Sequence, residues 1–206
     1  MFDMTEGKYM DIIIKDINIQ FDGKPVLKDF STVFKEGKIN CIMGASGIGK
    51  TTLINILMEL IRPDSGQVIG LDDKRISAVF QEDRLIEHWD AVKNILLVAD
   101  KQITRSIVID ALNSSGLNNI DKKPVKSLSG GMRRRVSIIR ALINDNDIII
   151  MDEPFKGLDE SLKKQIIRYI KANTNNKTVI VITHEKDEAA ELGAIVTTMG
   201  NVGEAF

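Results

Sequence analysis

Residues 39–61 read INCIMGASGIGKTTLINILMELI, and the order of residue types along this stretch decides the fold. INCIM (39–43) is apolar at successive positions, the pattern of a strand covered on both faces. GASGIGKT (44–51) fits G-x-x-x-x-G-K-[ST] in full. TTLINILMELI (51–61) then sets Leu53, Ile56, Leu57, Leu60 and Ile61 at helical spacing, and RPDSG (62–66) stops the run. Strand, glycine loop and helix in that order form a phosphate-binding loop. The backbone N–H groups of Gly44, Ala45, Ser46, Gly47, Ile48 and Gly49 can face an anion, and the helix N-terminus adds its dipole. Lys50 is placed to reach the β- and γ-phosphates and Thr51 to ligate Mg2+. Thr52 completes the nucleotide-binding set.

Working outward, short β-branched runs alternate with helical patterns. RISAVF (75–80), DIIIM (147–151) and TVIVIT (178–183) read as strands, the last two apolar enough to be covered on both faces. Between them LKKQIIRYIKA (162–172) is amphipathic, with Ile166, Ile167 and Ile170 on one side. Helices that follow strands imply a parallel α/β core with right-handed crossovers. The N-terminal part differs: IIIKDINIQF (12–21) and VLKDFSTVF (26–34) alternate around DGKP and predict an antiparallel portion. From about 82 to 134 the strand signals vanish and the pattern is helical and polar, which predicts a helical subdomain inserted into a core of about 11–81 and 135–206. The whole chain, 1–206, reads as one domain.

Two acids end one strand. In IIIMDEP (148–154), Asp152 sits where it can hold Mg2+ through its water shell. Glu153, one residue on, is a candidate general base. His184 follows TVIVIT at the edge where open α/β sheets bind ligands, and a γ-phosphate contact is expected of it. Gln81 closes RISAVF at a third strand end.

LSGGMRRRVSIIRAL (128–142) carries two readings. Ser129 caps a helix whose buried stripe is Met132, Val136, Ile139 and Ile143, with Arg133, Arg134 and Arg135 as a solvated face. Alternatively, the Gly130 and Gly131 amides at the helix start bind a second phosphate.

Composition narrows the function classes. Apolar residues make up 43% of the chain and charged residues 28%, with a formal net charge of −1. That balance argues against a nucleic-acid binder, which needs a basic face. The N-terminus, MFDMTEGKYMD, has no apolar core and is not a signal peptide. No apolar run approaches the ~18 residues of a membrane span. The single cysteine, Cys41, reads as a small buried hydrophobe in a reducing compartment. A cytoplasmic location is expected, and any attachment to a membrane must run through a partner.

Taken in order, GASGIGKTT, VFQEDRL (79–85), LSGGM, IIIMDEP, GLD (157–159) and ITHE (182–185) resemble the ATP-binding cassette (ABC) ATPases, from about Asp11 onward. The resemblance implies a P-loop NTPase core of RecA-like type, ATP and Mg2+ as cofactors, and ATP hydrolysis by Lys50, Gln81, Glu153 and His184. It gives Phe21 as an aromatic stacked on adenine, against the alternative of an ordinary core Phe. It makes Gln81 the residue of a loop that faces a transmembrane partner, and Thr51, Gln81 and Asp152 the metal set. It also implies that two copies pack head to tail, so that Ser129, Gly130 and Gly131 of one copy, with Asp159, complete the ATP site of the other.

The partners so implied are a second copy of the chain, integral membrane permease chains on the inner face of the membrane, and a solute-binding protein, with no nucleic acid. A soluble ABC protein of DNA repair, translation or cofactor assembly is the other function the resemblance allows; such proteins usually carry paired cassettes, insertions or basic extensions. Three features depart from the commonest pattern. Met132 stands where glutamine is usual. Lys156 and Gly157 stand where small residues are usual. The chain ends soon after the His184 strand–helix unit, so regulation through a C-terminal domain is not expected. VFQEDRLIEHW (79–89) and LSGGMRRRV look most like importer ATPases of the nitrate, sulfonate and taurine type, pointing to a small anion or sulfonate-like solute. There Trp89 would either face the permease or pack the helical subdomain.

Overall fold

The computed structural model describes residues 10–200; the signal-peptide reading of residues 1–9 lies outside them. The fold is mixed α/β with two sheets. β1 (Ile12–Phe21) and β2 (Lys24–Phe34) form an antiparallel hairpin, joined by β4 (Ser65–Ile69) on the other side of β1. The turn is Asp22-Gly23, both at positive φ (51° and 73°), the geometry that matches the twist of the two strands. Irregularities in the β1–β2 register accompany positive φ at Asp16 and Asp29.

The second sheet is parallel, in the order β5 (Ile76–Val79), β6 (Ile148–Asp152), β7 (Thr178–Ile182), β3 (Ile39–Met43), β8 (Ile195–Thr198). β6 and β7 are buried at every position. Their continuous apolar runs are what a parallel strand covered on both faces requires. Register sets the strand ends level: Val79 lies opposite Met151, Asp152 opposite Ile182, and Ile182 opposite Ile42. The residues that follow β3, β5, β6 and β7 therefore emerge along one edge, the carboxyl edge where such sheets bind ligands.

Helix α1 (Lys50–Leu57) packs Leu53, Ile54, Ile56 and Leu57 into a core shared with β1, β3, β6 and β7. It is shorter than the apolar spacing to Ile61 predicted. Glu59 takes a positive φ of 55°, which breaks the helix, and Leu60 is left exposed. α2 (Ala91–Leu96), α3 (Arg105–Ser114), a 3-10 turn (Val125–Ser127) and α4 (Gly130–Leu142) form the helical region with its own core, including Val92, Ile95, Val108, Leu112 and Val136. The expected boundary at 134/135 falls inside α4. Val136 and Ile139 join the helical core, whereas Ile138, Ala141 and Leu142 on another face join the core around β6, β7 and α5 (Glu160–Asn173). The chain continues through α6 (Lys186–Leu192) into β8.

Candidate nucleotide-binding and catalytic site

The glycine loop leaves β3 and turns into α1 through Gly47 (φ 79°) and Gly49 (φ 104°). At Gly49 the conformation needs glycine twice over. Its φ is unfavourable for a side chain, and a Cβ there would lie 2.8 Å from Leu27 Cδ2 and 3.0 Å from the Val26 carbonyl oxygen. α1 has no side-chain cap, so its first N–H groups are left for an anion. Lys50 is buried and folds back on the loop: Nζ donates to the carbonyls of Gly44 (2.9 Å) and Ala45 (2.7 Å). Burial pushes its ammonium below the ordinary value, while Glu153 and Asp152 pull the other way.

A cavity of about 320 Å³ opens beside the loop, lined by residues from five places in the chain: Ser46, Gly47 and Gly49 to Thr52 of the loop and helix start, Gln81, Asp152, Glu153 and His184, with Val26 from the hairpin. The strand-end residues singled out in the sequence thus converge. The Thr51 hydroxyl lies 3.4 Å from Asp152 Oδ2. Asp152 is buried, and burial together with the neighbouring Glu153 carboxylate pushes its pKa up, against Thr51, Lys50 and Arg134. A buried carboxylate beside a hydroxyl is an oxygen pair that suits Mg2+, whose remaining positions are taken by water and phosphate. Among the described residues no group of three or more His, Cys, Asp or Glu could hold a metal by itself.

Glu153 adopts a positive φ of 47°, and its N–H donates to the Ile182 carbonyl (3.0 Å), locking it to the end of β7. His184 Nε2 lies 2.9 Å from Glu153 Oε1. On the other oxygen, Gln81 Nε2 donates to Oε2 at 3.4 Å and Lys156 Nζ at 3.0 Å. Burial acts to raise the Glu153 pKa, but the Lys156 ammonium and the His184 ring outweigh it and hold the carboxyl below its ordinary value. Lys156 was legible only as a departure from the usual pattern; its position three residues past Glu153 is the signal that pairs them.

Other predicted residues lie apart. Phe21 is half-exposed at the end of β1 and does not line the cavity, where Val26 takes the hairpin's place. Ser129 caps α4, its hydroxyl accepting from the Met132 N–H at 3.3 Å. Ser129, Gly130 and Gly131 are also outside the lining of this cavity. Gly131 abuts Leu158, where a Cβ would come within 3.2 Å of Cδ2, and Gly130 meets open space. Asp159 caps α5, accepting from the Leu162 N–H at 2.9 Å.

The solvated arginine face does not hold. Arg134 is 6% exposed and donates to the carbonyls of Phe80 and Gln81, while Arg133 donates to Leu128 and Arg135 to Gly131 and Ser115. A polar run on one helix face reads as solvated unless the loop that packs on it is known. Met132 is half-buried against the helical core, so its side chain serves packing.

The ABC transporter family model matches residues 27–156. The chain belongs to the ABC transporter family. The cassette is 36% identical to the taurine import ATP-binding protein TauB of Pelagibacter ubique, over 89% of this chain and 76% of that protein. It is 32% identical to the spermidine/putrescine import ATP-binding protein PotA of Fusobacterium nucleatum subsp. nucleatum, over 95% of this chain. It spans little more than half the length of such polyamine import proteins, 56% and 58% of two of them. Among solved structures the cassette resembles a bacterial ABC transporter cassette described as dimeric, with a TM-score of 0.80 and 28% identity over 94% of this chain and 97% of that one.

Proposed function

We propose that this cassette binds and hydrolyses ATP and uses closure of a head-to-tail dimer to drive solute import through separate membrane permease chains. The observation that carries the reading is the convergence of Lys50, Thr51, Gln81, Asp152, Glu153 and His184 on one cavity from separate strand ends. Lys50 and the uncapped start of α1 bind and orient the triphosphate. Mg2+, when bound, supplies positive charge at the β- and γ-phosphate oxygens, and Thr51, Asp152 and Gln81 are the residues that would hold it. Glu153 accepts a proton from the water that attacks the γ-phosphorus, and the bond from that phosphorus to the bridging oxygen breaks, leaving ADP and phosphate. His184, 2.9 Å from Oε1, orients that carboxylate.

Gly130 and Gly131, outside the cavity and with open space at Gly130, are the half-site that a second copy offers to the γ-phosphate. Asp159 stands beside that interface, and Phe21 stacks on the adenine. The exposed apolar residues Ile86, Trp89, Leu97 and Val98 flank α2 and support docking of a permease on the helical region. No helix of the described residues is long and apolar enough to cross a membrane; the reading places the cassette on the cytoplasmic side, held there by the permease, with a solute-binding protein delivering the solute. The taurine import relatives support a small sulfonate-like solute. Lys50→Ala tests the reading: nucleotide binding and ATP turnover by the purified chain should both be lost. Retained turnover would overturn the site.

A further inference from the structure

The arginine that the sequence assigns to a solvated face is the most heavily engaged cation of α4. Arg134 Nη1 donates to the Phe80 carbonyl at 2.6 Å and Nη2 to the Gln81 carbonyl, and Nη1 also lies 3.4 Å from Asp83 Oδ1. Arg134 as a whole is 6% exposed. One turn and a half further along, Arg140 donates to the carbonyls of Asp83 (3.0 Å) and Arg84 (2.8 Å). Residues 80–84 are therefore fastened to α4 through four successive or near-successive carbonyls. A planar guanidinium holds its donors in a rigid fork, which lets it bind two adjacent carbonyls while paired to a carboxylate.

The other end of this linkage is the start of α4. Ser129, Gly130 and Gly131 lie within five residues of Arg134, and a helix segment of that length spans about 7 Å. Gln81 reaches from the fastened loop to Glu153 Oε2. One helix thus carries, at its start, the half-site offered to a second copy and, at Arg134, the backbone of a residue in its own cavity.

We propose that Arg134 is a positioning residue that holds Gln81 at Glu153. The inference rests on the hydrolytic reading above. Arg134 lies outside the lining of the cavity; apart from its charge, which also reaches Asp152, it acts through Gln81.

A double-mutant cycle of Arg134→Gln and Gln81→Ala, read as kcat and as nucleotide Kd on the full chain, tests it. Arg134→Gln should lower kcat about ten- to a hundredfold, as expected for losing charge-assisted hydrogen bonds, and leave the Kd within about twofold. In the Gln81→Ala background it should cost nothing further, because its effect runs through that side chain. Arg134→Lys keeps the charge but not the fork and should recover only part of the loss; it replaces Arg134→Gln in the cycle if that variant does not fold. Additive losses, an unchanged kcat, or a parallel loss of nucleotide affinity would overturn the inference while leaving the hydrolytic reading intact. A wild-type chain without ATP turnover would overturn both.

Discussion

Glu153 shows how much chemistry a single residue position can hold. It sits at positive φ, pinned by its N–H to β7, and each carboxylate oxygen meets a donor from a different segment: His184 on one, Gln81 and Lys156 on the other. Cys41, two strand positions before the glycine loop, is the opposite case. It is fully buried, and burial pushes its thiol up to about 11. The thiolate is the reactive form, so the folded chain should resist iodoacetamide at neutral pH and label only as the pH approaches about 11 or once denatured. The same shift sets a sign for stability. The folded thiol keeps its proton where the unfolded one releases it, so this contribution is present below about 9 and is lost as the pH rises to about 11. Mass spectrometry after labelling at graded pH checks the first expectation; rapid labelling of the native chain near neutrality would contradict the buried placement.

At the scale of elements, what could be read in the sequence is what depends on local pattern. β1 is Ile12–Phe21 as the alternation predicts, β6 and β7 are the two solid apolar runs, and Ile166, Ile167 and Ile170 face inward on α5. The convergence of Gln81, Asp152, Glu153 and His184 was also legible, because each ends a strand and parallel strands end along one edge. β4 and β8 left no comparable signal. SGQVI is exposed or half-buried at every position, and IVTT is an exposed edge strand; both are defined by their hydrogen-bonded neighbours. α4 was only half legible for a related reason. One apolar stripe predicts one core, but this helix is wedged between two, and Ile138, 0% exposed, faces the second. Ile138→Ala should therefore destabilise the fold by about 2–5 kcal/mol, the range for a buried aliphatic truncation that leaves a cavity. Urea unfolding of the variant should show a lower midpoint at unchanged slope; a loss under about 1 kcal/mol would mean that α4 does not bind the helical region to the core through this face.

For the whole molecule, the question is why the glycine loop and the start of α4 in one chain do not meet. The glycine loop and α1 line the cavity with Glu153, whereas the Ser129–Gly131 start of α4 stands outside it, its first glycine facing open space. In the proposed head-to-tail dimer two copies would satisfy both halves at once, and a nucleotide bound to both would stabilise the closed pair over the open one. That stabilisation has to be substantial: moving a population from mostly open to mostly closed requires about 5.5 kcal/mol of differential binding. In that proposal hydrolysis would remove the bridging phosphate and with it the preference for closure. Glu153→Gln separates these steps, because the amide keeps the size and much of the hydrogen bonding of the carboxylate but no longer takes the proton from water. The variant should bind ATP, turn over at least about a hundredfold more slowly, and accumulate as a dimer when ATP is added. Light scattering coupled to gel filtration gives the mass directly. A dimer with ATP that reverts to monomer with ADP is the expected pattern; a mass that is the same with either nucleotide would mean that the γ-phosphate does not hold the two copies together, and the start of α4 would then be a helix cap without a phosphate to bind.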